Sequence, residues 1–436
     1  TGGGGDSGRQ RRRRHRPAPA VASQAKEPRV EAPAEQLHRL NASGEPFLND
    51  GRWKKPLHGI AEPRWQEAAA RDLGRHIARF MPYPAYYPRI CTSDDYWRRT
   101  GLDYHPANVR RFREAYGIDP PRPPEVLERD FPESVSRAKG VIPDDDPWVL
   151  WMRFVSRNVL GGFNRQLADS VLKATDGRGR IGPVCGGSEG AMGFVPYADM
   201  ASGQWPPHNF GENGFNMLCC YNYNLYHFPA LAQVWWAEVG RMGNRDLEQW
   251  LMPETMDRRR YAHLQNWYLY MACDLDGLAY FIYEWSKPGA LEALRQVGPV
   301  TRRYRRLLAE LEPAPRNVGL LMPFEQCCFR PDYPARAMYA FCNLAMAHAE
   351  VEPVLPQELA QHAGRYEAVL LHDVDWLTES SVRALRQYAA AGGTVLCDAL
   401  TEVELPGAQR LEFALAEGDR KSAYGNVEHI ARVRQA

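Results

Sequence analysis

The amino-acid sequence predicts an α/β protein: a (β/α)8-type TIM barrel whose N-terminal strands are missing, followed by a second, smaller open parallel sheet. Three observations predict it. From about residue 45 short apolar runs alternate with amphipathic helical stretches, the rhythm of parallel strands joined by crossover helices. The run Gly277 to Trp285 (GLAYFIYEW) is apolar over nearly its whole length, as a strand buried on both faces must be. After Glu312-Pro313-Ala314-Pro315 the alternation restarts in shorter units, which marks a second domain.

Composition narrows the class. The chain has 436 residues, enough for a barrel and an appended domain. Hydrophobic residues make up 44% and charged residues 25%, and the net charge is +1, so nothing points to nucleic acid or an anionic membrane surface as a partner. The nine cysteines are odd in number, contain no CxxC and lie in apolar runs, so they read as buried thiols of a reduced protein. The histidines have no metal-ligand spacing, so no metal is expected. Gly186-Gly187-Ser188-Glu189-Gly190 lacks the Lys-Ser/Thr of a phosphate loop and the spacing of a dinucleotide fingerprint, so no cofactor is expected either. No apolar run approaches the roughly 18 residues of a membrane helix. With no signal peptide visible, the expected compartment is the cytoplasm.

The elements follow in order. Residues 1–44 hold Thr1-Gly-Gly-Gly-Gly5, the run Arg11 to Arg14 and Pro/Ala-rich text, which reads as a disordered tail or foreign sequence before a truncated barrel. The barrel domain is assigned to 45–312. Trp65, Ala69, Leu73, Ile77 and Phe80 repeat at helical spacing behind Pro63, and a strand at roughly 86–92 leads into Asp94-Asp95. Pro106 to Tyr116 reads as a helix that Gly117 ends. A Pro-rich loop then runs to about 143. Asp144-Asp145-Asp146-Pro147 is a helix start, because acids suit the positive end of the dipole and Pro suits the first turn. The helix it opens carries Trp148, Trp151, Val155, Val159, Phe163, Leu167 and Val171 along one stripe. Strands follow at 181–184, 216–223 and 247–252, then a helix through Tyr261 to Met271, the apolar strand, and a helix from Pro288 to about Leu311. About six strands are countable in this block.

The second domain, 313–436, reads strand (318–324), helix (334–349), strand (353–355), strand (367–371), helix (379–391), Gly392-Gly393 and strand (394–397), with a weak pattern after that. Asp373-Val374-Asp375 is read as a turn.

In a barrel of this kind the strand C-terminal ends share one rim, so acids far apart in sequence can face one substrate. Asp94 and Asp95 follow one strand, and Glu254 follows another. Two facing carboxylates are the minimal equipment for cleaving a glycosidic bond. Glu284, inside the last apolar strand, is the rival nucleophile. Tyr223 and Trp285 stand at strand ends where aromatic faces stack on sugar rings, although core packing is the more general use of such residues.

At this point the chain resembles glycoside hydrolase family 42, the barrel-type β-galactosidases. Three stretches carry the resemblance: Ser93-Asp94-Asp95-Tyr96-Trp97 with Asp103-Tyr104 and Phe112 to Gly117; Trp250 to Glu254 with Asp276 to Phe281; and Tyr366 to Leu371 with Leu385 to Val395. The resemblance implies that Asp95 is the acid/base and Glu254 the nucleophile of a retaining mechanism; Asp94, Tyr223, Glu284 and Trp285 are the residues expected to bind the substrate. It also implies that terminal β-galactosyl units are released, that the second domain is flavodoxin-like, and that the chain assembles as a trimer. The family carries Asn-Glu where this chain has Asp94-Asp95, which shortens the acid/base by one methylene. Two other readings stand beside it: a catalytically inactive carbohydrate-binding or scaffold protein on the same fold, and a gene fragment without a stable fold.

Overall fold

The computed structural model describes residues 40, 43–46, 62–91, 103–122, 138–186, 205–212, 214–223, 231–254, 264, 267, 268, 271, 275–278, 288–310, 315–330, 332–361, 364–416 and 427–435. Within them the chain opens with a helix, Pro63–Ala78, capped by the Glu62 side chain, which accepts from the Arg64 N–H. Strand β1, Arg89–Cys91, follows, then the helix Pro106–Tyr116. Gly117, at φ 70°, ends that helix in the left-handed conformation that glycine adopts without penalty. Strand β2 is Gly140–Ile142, in the stretch read from sequence as loop. Leu40, assigned to the tail, is instead tied down: its N–H donates to Asp103 Oδ1 at 3.2 Å and its carbonyl accepts from Tyr104 N at 2.9 Å.

The expected long helix from Pro147 is present but not uniform. It runs as Pro147–Phe154, a π-helical stretch Val155–Leu160, and Gly161–Ala174. Its aromatic stripe does the packing. Trp151 lies edge-on to Phe112 at 5.0 Å and stacked on Phe154 at 5.7 Å, which fastens the helix to Pro106–Tyr116.

Strands β3 (Arg180–Gly182), β4 (Val184–Gly186), β5 (Met217–Tyr223), β6 (Glu248–Glu254) and β7 (Gly277–Leu278) continue the unit. All pairings are parallel, β1 with β3, β4 with β5, β5 with β6 and β6 with β7. Asn216 N donates to Ile181 O and Cys219 N to Pro183 O, so β3 and β4 are successive segments of a single strand position beside β5. Strand order thus follows chain order, as in a barrel wall, with no reversal among the described residues. In a flat sheet β1 and β6 would lie about 14 Å apart, three strand spacings. Their first residues, Arg89 and Glu248, nevertheless form an ion pair, joined by Arg180 Nε at 3.4 Å from Glu248 and Trp250 Nε1 donating at 2.7 Å. Curvature of the wall brings these groups within reach. Among the described residues the wall is an arc rather than a closed ring.

The second unit has strands β8 (Val318–Leu321), β9 (Val351–Val354), β10 (Ala368–Leu371), β11 (Trp376–Thr378), β12 (Thr394–Cys397) and β13 (Gln409–Arg410). Five of them form a parallel sheet in the order β13-β12-β10-β8-β9. The chain therefore starts near the middle, steps to one edge, and returns across β8 to build the other side, as doubly wound sheets do. Helices Phe324–Phe329, Tyr333–Met346, Glu379–Ala390 and Val427–Gln435 accompany it. β11 stands apart from this sheet and pairs with β2 of the first unit. The units share one apolar core, to which Trp235 and Phe341 contribute a ring pair at 5.3 Å. Cys219, Cys327, Cys328, Cys342 and Cys397 are buried, Cys91 is exposed, and burial pushes Cys397 up to about 11.

Candidate functional site

Because the wall is parallel, the last residues of its strands share one edge. β5 and β6 pair over seven residues, from Met217 opposite Glu248 to Tyr223 opposite Glu254. Tyr223 and Glu254 are therefore neighbouring strand-end positions on a single rim, with Asn222 opposite Pro253 one step behind. The sequence placed the end of β6 at Met252, but the strand continues to Glu254. Proline lacks only the donor N–H, so it can complete a strand end where fewer ladder bonds are needed. Further back from that rim Gly186, the end of β4, lies opposite Tyr221, whereas Cys91 at the end of β1 lies opposite Gly182, level with the start of β5.

Local sequence explains the long β5/β6 ladder. The N–H of Gln249 donates to Asp276 Oδ2 at 2.7 Å, and its side-chain amide donates to the carbonyl of Ala237 at 2.6 Å. The first bond joins β6 to the chain entering β7, and the second ties β6 to the helix Leu231–Gly243. Asn216 acts in the same way at the preceding strand, its Oδ1 accepting from Ile181 N at 2.8 Å. Gln249 is buried and Asn216 half-buried, and the bonds they make across strands fix register more firmly than apolar packing alone.

Of the residues singled out from sequence, the structure brings together Tyr223 and Glu254 as register partners. Asp94, Asp95, Glu284 and Trp285 lie outside the described residues. β1 ends three residues before Asp94, with Cys91 opposite Gly182.

Sequence reasoning missed the polar cluster at the opposite rim. Arg89, Arg180 and Glu248 are the first residues of β1, β3 and β6. Arg180 and Glu248, with Arg241, Arg245, Asp246, Leu247 and Asp276, line a cleft of about 240 Å³. Six residues of extended chain, roughly 20 Å, separate Glu248 from Glu254, so this cleft is a different place from the strand-end rim. Its arginines are largely neutralised: Arg245 faces Glu352 at 3.4 Å and Arg241 faces Glu238 at 3.0 Å. Among the described residues no cluster of His, Cys, Asp and Glu could hold a metal, and no helix is long and apolar enough to cross a membrane.

A curved parallel wall of sequential strands followed by a doubly wound sheet defines a two-unit α/β protein. Solved structures of glycoside hydrolase family 42 enzymes have this fold. A β-galactosidase from the psychrophilic Marinomonas ef1 superposes with a TM-score of 0.59 at 14% identity, covering 85% of this chain and 64% of that one. A catalytic mutant of Gan42B, a GH42 β-galactosidase from G. stearothermophilus, superposes with a TM-score of 0.58 at 13% identity, covering 88% and 61%. An exo-carrageenase GH42 from Bacteroides ovatus reaches 0.55 at 9% identity, covering 90% and 60%. The chain thus has a divergent GH42-like fold and spans less than two thirds of the length of these enzymes. No family model and no curated protein matches it.

Proposed function

We propose that the protein is a retaining glycoside hydrolase acting on terminal β-galactosyl or related β-glycosidic bonds. The observation that carries the reading is the pairing of Tyr223 with Glu254 at the carboxyl ends of adjacent parallel strands, on a fold shared with GH42 β-galactosidases. The two-residue repeat of a strand puts position 254 on the face of β6 that Glu248 occupies, and Glu248 meets Arg89 across the arc. Glu254 in this reading is the nucleophile. It stays ionised, attacks the anomeric carbon and forms a glycosyl-enzyme intermediate. Asp95, which follows β1 in the sequence, protonates the departing oxygen and later takes a proton from the attacking water. The carboxyls of a retaining pair stand about 5 Å apart. Tyr223 and Trp285 offer aromatic faces to the sugar, and Asp94 and Glu284 accept from its hydroxyls. The strand order of the second unit supports a flavodoxin-like domain, and family resemblance supports a trimer built on it.

The test is hydrolysis of a panel of nitrophenyl glycosides by the wild type, Asp95→Ala and Glu254→Ala. Turnover of an aryl β-galactoside is expected. It should fall roughly 10²–10⁴-fold in Asp95→Ala and on the order of 10³-fold or more in Glu254→Ala. The second reading, a sugar-binding protein without catalysis on the same fold, is favoured by the shortened acid at position 95. Absence of turnover on every glycoside, with sugar affinity intact in both variants, would establish it.

A further inference from the structure

The turn between β2 and the helix Pro147–Phe154 serves two helices from two different units. Asp146 caps its own helix, Oδ1 accepting from Trp148 N at 3.0 Å and Val149 N at 3.2 Å. Two residues earlier Asp144 faces the start of the helix Glu379–Ala390 in the second unit. Its Oδ1 accepts from Ser380 N at 2.8 Å, and its Oδ2 pairs with Arg383 at 2.8 Å. That helix already has an internal cap, Thr378, whose hydroxyl accepts from Ser381 N at 3.3 Å. Asp144 satisfies a further orphan donor and places a negative charge at the positive end of the dipole. Burial pushes the Asp144 carboxyl up, but the Ser380 hydrogen bonds and Arg383 outweigh it and hold the group below its ordinary pKa.

The strand leading into this turn is engaged as well. β2 pairs in parallel with β11, Gly140 opposite Trp376 through Ile142 opposite Thr378. Gly140 N donates to Asp375 O at 2.9 Å, and Trp376 Nε1 donates to Ala138 O at 3.0 Å. Lys139 bridges Asp375 at 2.9 Å and Glu402 at 2.7 Å. A two-stranded sheet is marginal in water by itself. This one is clamped at one end by Lys139 and at the other by Asp144.

We infer that Lys139–Asp146 is an interdomain latch: a strand and a double-capping turn donated by the first unit, which make the starts of Pro147–Phe154 and Glu379–Ala390 open and close together. The second unit is then a docking partner that the first unit requires, whatever reaction the strand-end rim performs. The latch also bears on that rim. Pro147–Phe154 holds Pro106–Tyr116 through Trp151 and Phe112, and that helix follows Asp95 in the sequence.

Hydrogen exchange of the full chain tests the inference, read on peptides covering 140–154, 376–390 and 351–371. In the wild type the first two are expected to exchange at rates within about threefold of one another. Lys139→Ala with Asp144→Ala should speed both by roughly five- to tenfold, the opening expected from loss of a cap of ordinary strength, and leave 351–371 unchanged. Acceleration confined to 140–154, or no acceleration in either, would overturn it. Asp144→Asn covers the case in which the double variant fails to fold. It keeps an oxygen for Ser380 N and loses the charge facing Arg383, so both peptides should speed up by about twofold. No change in Asp144→Asn would equally overturn the latch.

Discussion

At the scale of the residue, the position of greatest leverage is Asp95. In the proposed mechanism an aspartate there is one methylene shorter than a glutamate, a reach of about 1 Å, and misplacement on that scale costs up to about 100-fold in rate. Asp95→Glu is therefore expected to raise kcat on an aryl β-galactoside by tens of fold, and the gain should vanish when Glu254→Ala is added. A lower kcat in Asp95→Glu would sink the assignment. His208 carries a second prediction. It is buried with Nδ1 at 2.9 Å from Ser156 Oγ, and burial, then Arg157 and Arg153, lower its pKa to about 3. The unfolded chain takes up this proton near pH 6.5, whereas the folded chain resists it down to about pH 3. Folding stability should be full above pH 6.5 and decline as pH falls, by at most about 1.4 kcal/mol per pH unit from this group. Denaturant melts between pH 7.5 and 4.5 check it: His208→Gln should flatten the slope, and identical slopes would remove His208 as the cause. At this scale some polar positions were legible in the sequence and others were not. Glu254 stood out as an acid behind an apolar run. Arg89, Arg180 and Glu248 did not, because a charge at the first position of a strand reads as ordinary solvated polarity until curvature brings three such positions together.

At the scale of the element, Gly182 decides whether β3 can lie against β5. A Cβ built there would stand 1.6 Å from the carbonyl oxygen of Met217, an atom of the backbone that cannot rotate away. Gly182→Ala is expected to destabilise the protein by several kcal/mol, at the upper end of overpacking costs of roughly 1–3 kcal/mol or beyond. A melting temperature within 1–2 °C of wild type would show that the strands separate more easily than this. The helices were the most readable elements, because Pro63, Pro106, Pro147 and Gly117 mark ends that the structure keeps within a residue or two. β2, β11 and β13 were not read, and the reason is physical. They are two or three residues long, too short for alternation to register, and β2 and β11 exist only through a partner in the other unit. The π-helical stretch Val155–Leu160 was equally hidden, because its apolar stripe continues that of the helices on either side.

At the scale of the whole molecule, charge as well as apolar packing joins the two units. Glu238, on the helix Leu231–Gly243 and 3% exposed, faces both Arg241 at 3.0 Å and Arg316 at 3.3 Å. Removing one member of a buried cluster strands the others, so Glu238→Ala should cost roughly 3 kcal/mol. Glu238→Gln, which keeps an acceptor, should cost less. Chemical denaturation resolves the two, and a loss under about 0.5 kcal/mol in Glu238→Ala would mean that the arginines are satisfied by water. The restart of the alternation after Pro315 was legible, and the five-stranded sheet takes its first strand, β8, from there. How the units interlock was not, because the contacting residues are separated by long stretches of chain: Asp144 and Ser380 lie 236 positions apart. That separation has a consequence for biosynthesis. At 5–20 residues per second, a ribosome needs roughly 10–50 s to deliver Ser380 after Asp144 has been made. Throughout that interval the nascent polypeptide carries β2 as an uncovered edge, open to mispairing, and translation speed through the intervening message becomes one of the variables that set the yield of native protein.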